Sequence, residues 1–86
     1  MEIIGGTYYL TEKNDLCTDK GKLPIEDKFD CIQAARTIKN VDFIRTERKL
    51  DFPIGCYVNG KGVYFNTRVK GSREKSSRSI CRGIGQ

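Results

Sequence analysis

Apolar and polar positions alternate most clearly in the second half of the chain. Ile54-Gly55-Cys56-Tyr57-Val58 and Val63-Tyr64-Phe65-Asn66-Thr67 flank Asn59-Gly60-Lys61-Gly62. Asn-Gly between β-branched and aromatic runs is a strong hairpin signal, so strands are expected over 54–58 and 63–67. A two-residue period puts Val63 and Phe65 on one face, and Tyr64 and Asn66 on the other. A shorter β-favouring run, Thr7-Tyr8-Tyr9-Leu10-Thr11, follows the Gly5-Gly6 break. Between these runs the period lengthens. Ile32, Ala35 and Ile38 recur at near-helical spacing beside Phe29 and Cys31, which predicts a helix over about 27–40. Asp27 is the expected cap, Asp30 adds negative charge to the first turn, and Asn40 is the expected stop. Cys31, Ala34 and Ala35 place small side chains on the buried side, suited to close packing on a sheet.

The remaining segments read as connectors. Glu12 to Leu23 is polar loop, and Val41 to Ile44 is either a strand or a wrap around the core. Arg45-Thr46-Glu47-Arg48-Lys49 is an exposed mixed-charge segment, and Leu50 and Phe52 anchor the return before Pro53. Gly71 to Ser79, rich in Ser, Arg and Lys, reads as a mobile loop. Ile80-Cys81 would return the chain to the core, with Gly83 to Gln86 frayed. The resulting expectation is an α+β fold: one helix on a small antiparallel sheet with a central hairpin, in a single domain spanning 1–86.

Eighty-six residues with 37% hydrophobic content make a thin core; a chain of this size buries only about 60–65% of its unfolded surface. Covalent support is therefore expected from the cysteines. Cys17, Cys31, Cys56 and Cys81 lie 14, 25 and 25 positions apart. Zinc modules bring ligands in close pairs, and no such pair is present. An even count at wide spacing reads as two disulfides, hence an oxidising compartment; spacing alone leaves all three connectivities open. The chain opens Met1-Glu2-Ile3-Ile4 without the basic and apolar regions of a signal peptide. It is read here as a mature domain of a secreted precursor.

Histidine is absent, which removes His-dependent triads, His general bases and Cys/His zinc sites. Asp27, Asp30, Asp42, Glu47 and Asp51 are the carboxylates a hydrolase would need, and each has a simpler role as a cap, a loop charge or an ion-pair partner. Gly55, Gly60 and Gly62 form no phosphate-binding fingerprint. The expectation is a non-enzyme with no metal and no cofactor.

Charge sharpens the picture. Residues 1–66 carry ten basic and ten acidic side chains, whereas 67–86 carries six basic residues against Glu74 alone. The net charge of +5 therefore resides in Arg68, Lys70, Arg73, Lys75, Arg78 and Arg82. Such a run serves as a solvated loop or as a surface for acidic glycans, phospholipid headgroups or nucleic acid. Nucleic acid is disfavoured, because no RNP-like aromatic pair or helix-turn-helix period accompanies the charge. Tyr57 and Tyr64, beside Asn66 and Arg68, add a candidate contact surface, since tyrosine joins an apolar ring to a polar tip. The alternative role for these rings is to complete a thin core.

Tyr8-Tyr9-Leu10, Cys17 with Gly21, and Cys31-x-x-Ala34-Ala35 lead into Pro53-x-Gly55-Cys56-Tyr57, Val63-Tyr64-Phe65-Asn66-Thr67 and Ile80-Cys81-Arg82. This order resembles a small four-cysteine extracellular domain of the "GCY…VYFN" type, met in proteins of marine protists and invertebrates. The likeness runs from Tyr8 to Arg82 and implies secretion and fold rather than an activity. The layout also resembles PAN/apple modules, in which a helix cysteine is tied to the following sheet. That likeness implies Cys31–Cys56 and Cys17–Cys81.

The functional expectation is a secreted, non-catalytic binding module that contacts an extracellular protein or acidic glycan. Its expected contact residues are Tyr57, Tyr64, Asn66, Arg68, Lys70, Arg73, Lys75, Arg78 and Arg82. The alternatives are a cationic toxin or host-defence polypeptide acting on anionic membranes, and an enzyme inhibitor presenting the loop around Arg45–Lys49.

Overall fold

In the computed structural model, which describes residues 1–83, the chain runs β1 (Glu2–Ile4), β2 (Tyr8–Leu10), a 3-10 turn (Cys17–Lys20), β3 (Leu23–Pro24), α1 (Lys28–Arg36), β4 (Asp42–Glu47), β5 (Gly55–Asn59), β6 (Gly62–Asn66) and β7 (Ser77–Arg82). The strands form one sheet in the order β1-β2-β7-β5-β6-β4, with β3 also paired to β7. One helix packed on this sheet, with two disulfides, makes a small α+β fold. The sheet is mixed rather than antiparallel, because β4 runs parallel to β6.

The hairpin forms where alternation predicts it, but its turn is tighter. Asn59 pairs with Gly62, leaving Gly60 and Lys61 as a two-residue turn. Gly60 has φ +62°, the left-handed first position that matches the twist of a hairpin. Asn59 is thus the last strand residue rather than part of the loop. At the other end of β5, Gly55 has φ +74°, and a Cβ there would lie 2.5 Å from the Ile25 carbonyl. Only glycine lets β5 pass this close to the chain after β3.

Asp27 caps α1 as expected, its carboxylate accepting from the Asp30 N–H at 3.2 Å. The helix buries Cys31, Ala34 and Ala35, an i, i+3, i+4 set of small side chains that lets its axis approach the sheet. That approach brings the Cys31 and Cys56 Cα atoms to 5.4 Å. Phe29 does not join this face; it is 72% exposed. The helix also ends four residues before Asn40. Thr37 donates to the Ala34 carbonyl through both its N–H (3.0 Å) and its hydroxyl (2.7 Å), which tightens the last turn and stops it.

Under α1 lie Cys56, Val58, Val63, Phe65 and Ile80, continuous with Ile4, Leu10 and Ile25. Alternation sends Tyr57, Tyr64, Asn66, Ser79 and Cys81 to the opposite face. The two bridges consequently fasten opposite faces of one sheet: Cys31–Cys56 holds the helix, and Cys17–Cys81 holds the 3-10 turn. This is the pairing that the apple-like layout implies.

The largest departure from expectation concerns 71–79. Ser77–Ser79 is not loop; it opens β7, which pairs with β5 through this first half and with β2 and β3 through its second, where Ile80 and Cys81 return to the core as expected. Its polar composition hides a two-residue period. Ser77 and Ser79 are fully buried, their hydroxyls bonded to Glu74 and to the Asp15 carbonyl. Gly83, expected to fray, is buried; the rest of the expected frayed end lies outside the described residues. β1 pairs with β2 ahead of the expected first strand, and Arg45–Glu47 belongs to β4 rather than to a loop. Phe52 is half-buried while Leu50 is 53% exposed, so one of the two expected anchors faces solvent.

Candidate functional site

Eight of the nine side chains expected to bind a ligand separate into three groups, and the ninth, Tyr64, is half-buried on β6. Tyr57 and Asn66 are interior. Tyr57 is 1% exposed and donates its hydroxyl to the Glu47 carboxylate. Asn66 is 2% exposed; its amide donates to the carbonyls of Lys49 (2.7 Å), Phe52 (3.3 Å) and Pro53 (2.9 Å). Its carbonyl oxygen accepts from Lys49 N–H (3.0 Å) and Arg68 N–H (3.3 Å). Both are fasteners of the 47–53 segment.

Arg73, Arg78 and Arg82 are engaged internally. Arg73 grips both Asp19 oxygens, with Nη2 to Oδ1 at 2.9 Å. This clamp, helped by the Leu16 N–H, holds the Asp19 carboxyl down at about 2. The Arg73 guanidinium is raised in turn by the same hydrogen bonds. Arg78 donates Nε to the Thr11 carbonyl at 2.7 Å and lies within 3.8 Å of Glu2 and 3.6 Å of Glu12. Arg82 meets Glu26 at 2.9 Å. Much of the basic tail's charge is thus answered by acids from the first third of the chain.

Arg68, Lys70 and Lys75 make no ion pair among the described residues. Two of them join cations that the linear sequence keeps apart. Because β4 and β6 are parallel, both leave the sheet at the same end, and the segments that follow run side by side. Thr67 N–H donates to the Glu47 carbonyl at 2.9 Å, and Ser72 N–H to the Phe52 carbonyl at 3.0 Å. Residues 45–51 and 67–71 together carry Arg45, Arg48, Lys49, Arg68 and Lys70 against Glu47 and Asp51. Leu50 and Val69, the latter 89% exposed, lie among them.

No family model, curated protein or solved structure matches the chain. The chemistry of this end of the sheet rests on its own side chains.

An open pocket of about 150 Å³ lies beside β4, between Arg45, Glu47, Lys49, Tyr57, Asn59 and Tyr64, with Phe52 at its side. Its aromatic wall is ordered: Tyr57 and Tyr64 stack at 5.4 Å, and Phe52 meets Tyr57 edge-on at 5.4 Å. Arg45 lies over the Tyr64 ring at 5.2 Å, and Lys49 over Phe52 at 5.5 Å. The Glu47 side chain is only 6% exposed and lies 3.6 Å from Arg45 Nε and 3.9 Å from Lys49 Nζ. Those separations are long for hydrogen bonds, so both cations keep donors for other partners.

Of the carboxylates considered for catalysis, Asp27 caps α1, Asp30 accepts the Tyr8 hydroxyl at 3.4 Å and Glu47 accepts that of Tyr57. Burial first, and the Asp30 charge second, push the Tyr8 phenol upward. Among the described residues no three His, Cys, Asp or Glu side chains converge as metal ligands. No helix there is long and apolar enough to cross a membrane.

Sequence reasoning grouped Arg68 and Lys70 with Tyr64 but not with Arg45, Arg48 and Lys49, whose segment runs beside theirs. No local signal announces that pairing, which depends on the parallel alignment of β4 with β6.

Proposed function

We propose that this chain is a secreted, non-catalytic binding module that engages an acidic extracellular glycan through the cationic end of its sheet. The observation that carries the reading is that two segments hydrogen-bonded to each other, 45–51 and 67–71, carry Arg45, Arg48, Lys49, Arg68 and Lys70. Five cations against two acids on adjoining segments give a local positive excess, which favours a polyanion and makes its binding salt-dependent. The two disulfides are consistent with an extracellular location. An acidic extracellular protein is the other partner class the same charge would serve.

A sulfated polysaccharide of the heparin type, immobilised and titrated at several salt concentrations beside neutral dextran, tests the reading. Retention on the sulfated chain that weakens with salt is expected, as is its loss in a combined Arg48→Gln, Arg68→Gln, Lys70→Gln variant. Equal retention on dextran, or an unchanged triple variant, sinks it.

A membrane-active reading draws on Leu50 and Val69, exposed among those cations, since apolar tips flanked by Arg and Lys suit an anionic bilayer. Dye leakage from anionic but not neutral vesicles would favour it; intact vesicles of both kinds would remove it.

A further inference from the structure

Resting on that reading, we propose that the pocket between Arg45, Lys49, Asn59 and Tyr64 is a subsite for a single sulfated sugar residue. Four properties converge there. The Tyr64 ring stands between Tyr57 and the Arg45 guanidinium, which cover its two faces, so it presents its edge and its hydroxyl to the pocket. Its hydroxyl makes no hydrogen bond among the described residues, nor does Asn59 Oδ1. The Asn59 amide nitrogen, by contrast, is committed to Glu74 at 3.2 Å and Ser77 at 3.1 Å, so the side chain is held with its oxygen free. Arg45 and Lys49 stand on either side of Glu47 with donors to spare.

The carboxylate decides the orientation of the ligand. Glu47 is nearly buried and already accepts from Tyr57, so an anion seated deep in the pocket would be repelled. A sulfate therefore sits at the mouth, between the two cations, while neutral hydroxyls face Asn59 Oδ1 and the Tyr64 hydroxyl. Glu47 holds both cations near the rim without occupying their donors. A volume of about 150 Å³ suits one sugar ring rather than a chain. The Asn59 Oδ1 acceptor also separates a sulfated sugar from free sulfate, which has no hydroxyl to donate to it.

The probes are a sulfated chondroitin-type disaccharide, its unsulfated counterpart and inorganic sulfate, each titrated into the intact oxidised protein by NMR. The sulfated disaccharide is expected to move the resonances of Asn59 and Tyr64 and to bind at least about tenfold more tightly than either other probe, the contribution expected of one charge-assisted contact. Arg45→Gln is expected to abolish that preference, and Tyr64→Leu to weaken both disaccharides. Should Tyr64→Leu fail to fold, Arg45→Gln, at an exposed side chain, still decides the matter. Equal affinity for the two disaccharides, or an unchanged Arg45→Gln variant, overturns the subsite. If the disaccharide fails while the polymer still binds and the triple variant releases it, the subsite falls and the broader face stands. If neither ligand binds, both fall. Inorganic sulfate binding as tightly as the sulfated disaccharide reduces the pocket to an anion site and also overturns the proposal.

Discussion

Asn66 and Lys49 exchange a reciprocal pair of hydrogen bonds: the Lys49 N–H donates to Asn66 Oδ1 at 3.0 Å, and Asn66 Nδ2 donates to the Lys49 carbonyl at 2.7 Å. A side-chain amide thereby imitates one rung of a sheet and holds the 49–53 segment over the Tyr57 face. Asn66→Ala leaves several buried backbone groups without partners and should cost about 2–4 kcal/mol, each orphaned group contributing about 1–3. Asn66→Asp should cost at least as much, because a carboxylate would face the Lys49, Phe52 and Pro53 carbonyls. Urea unfolding of the two variants measures both.

The two bridges close loops of different length, with sequence separations of 25 and 64. Chain entropy assigns about 3.5 kcal/mol to the shorter and about 4.3 kcal/mol to the longer. Replacing Cys17 and Cys81 with Ala should therefore lower the unfolding free energy slightly more than replacing Cys31 and Cys56. Either loss is a large share of the roughly 4–13 kcal/mol expected for a domain of this size. Denaturant midpoints of the two double variants give the ordering.

Asp19 and Arg73 tie the 3-10 turn to the segment before β7, and the folded Asp19 carboxyl sits at about 2 against an ordinary 3.8. The unfolded chain takes up this proton more readily than the folded one. The pair's contribution to stability is thus fully present above about pH 4 and is lost as pH falls from about 4 to 2. Asp19→Asn should flatten that part of a Tm-against-pH curve and leave its slope above pH 5 unchanged. A slope below pH 4 equal to that of the parent chain would refute the assignment.

The internally engaged arginines should separate from the free cations. Arg78→Gln removes a 2.7 Å bond to the Thr11 carbonyl and should destabilise by about 1–3 kcal/mol. Sulfated-polymer binding should nevertheless stay within about twofold, because that guanidinium lies among Glu2 and Glu12. Arg48→Gln should do the reverse: unchanged Tm, and affinity reduced severalfold at low salt. Calorimetry and a salt series on the same two variants test the division.

Gly55→Ala should destabilise by about 1–3 kcal/mol, since a side chain at φ +74° is strained and its Cβ meets the Ile25 carbonyl at 2.5 Å. Gly60→Ala, with no heavy atom within 4 Å of its Cβ, should cost less. Thermal melts compare them directly.

What the sequence revealed were features written in neighbouring residues: the hairpin, the Asp27 cap, and the small Cys31, Ala34 and Ala35 face. The helix end was misjudged because Thr37 stops it through its own hydroxyl, whereas Asn40 looks like the more usual terminus. The first half of β7 was hidden because its buried positions are serines, whose burial depends on acceptors supplied by Glu74 and Asp15. The basic tail looked like one surface because charge is counted along the chain. Folding distributes it instead, sending Arg73, Arg78 and Arg82 to distant acids and laying the segment with Arg68 and Lys70 beside the one with Arg45, Arg48 and Lys49. Only strand alignment carries that information.

The Cys17–Cys81 bridge also fixes how the chain carries mechanical load. Tension applied between the two flanks of the domain would unpair β1 and β2, reach Cys17, cross the sulfur–sulfur bond to Cys81 and leave. Everything from Thr18 to Ile80, including the helix, the hairpin and the cationic end of the sheet, is outside that force path. Under oxidising conditions the proposed contact surface would stay folded while its flanks are stretched, and reduction of a single bond would return it to the line of pull.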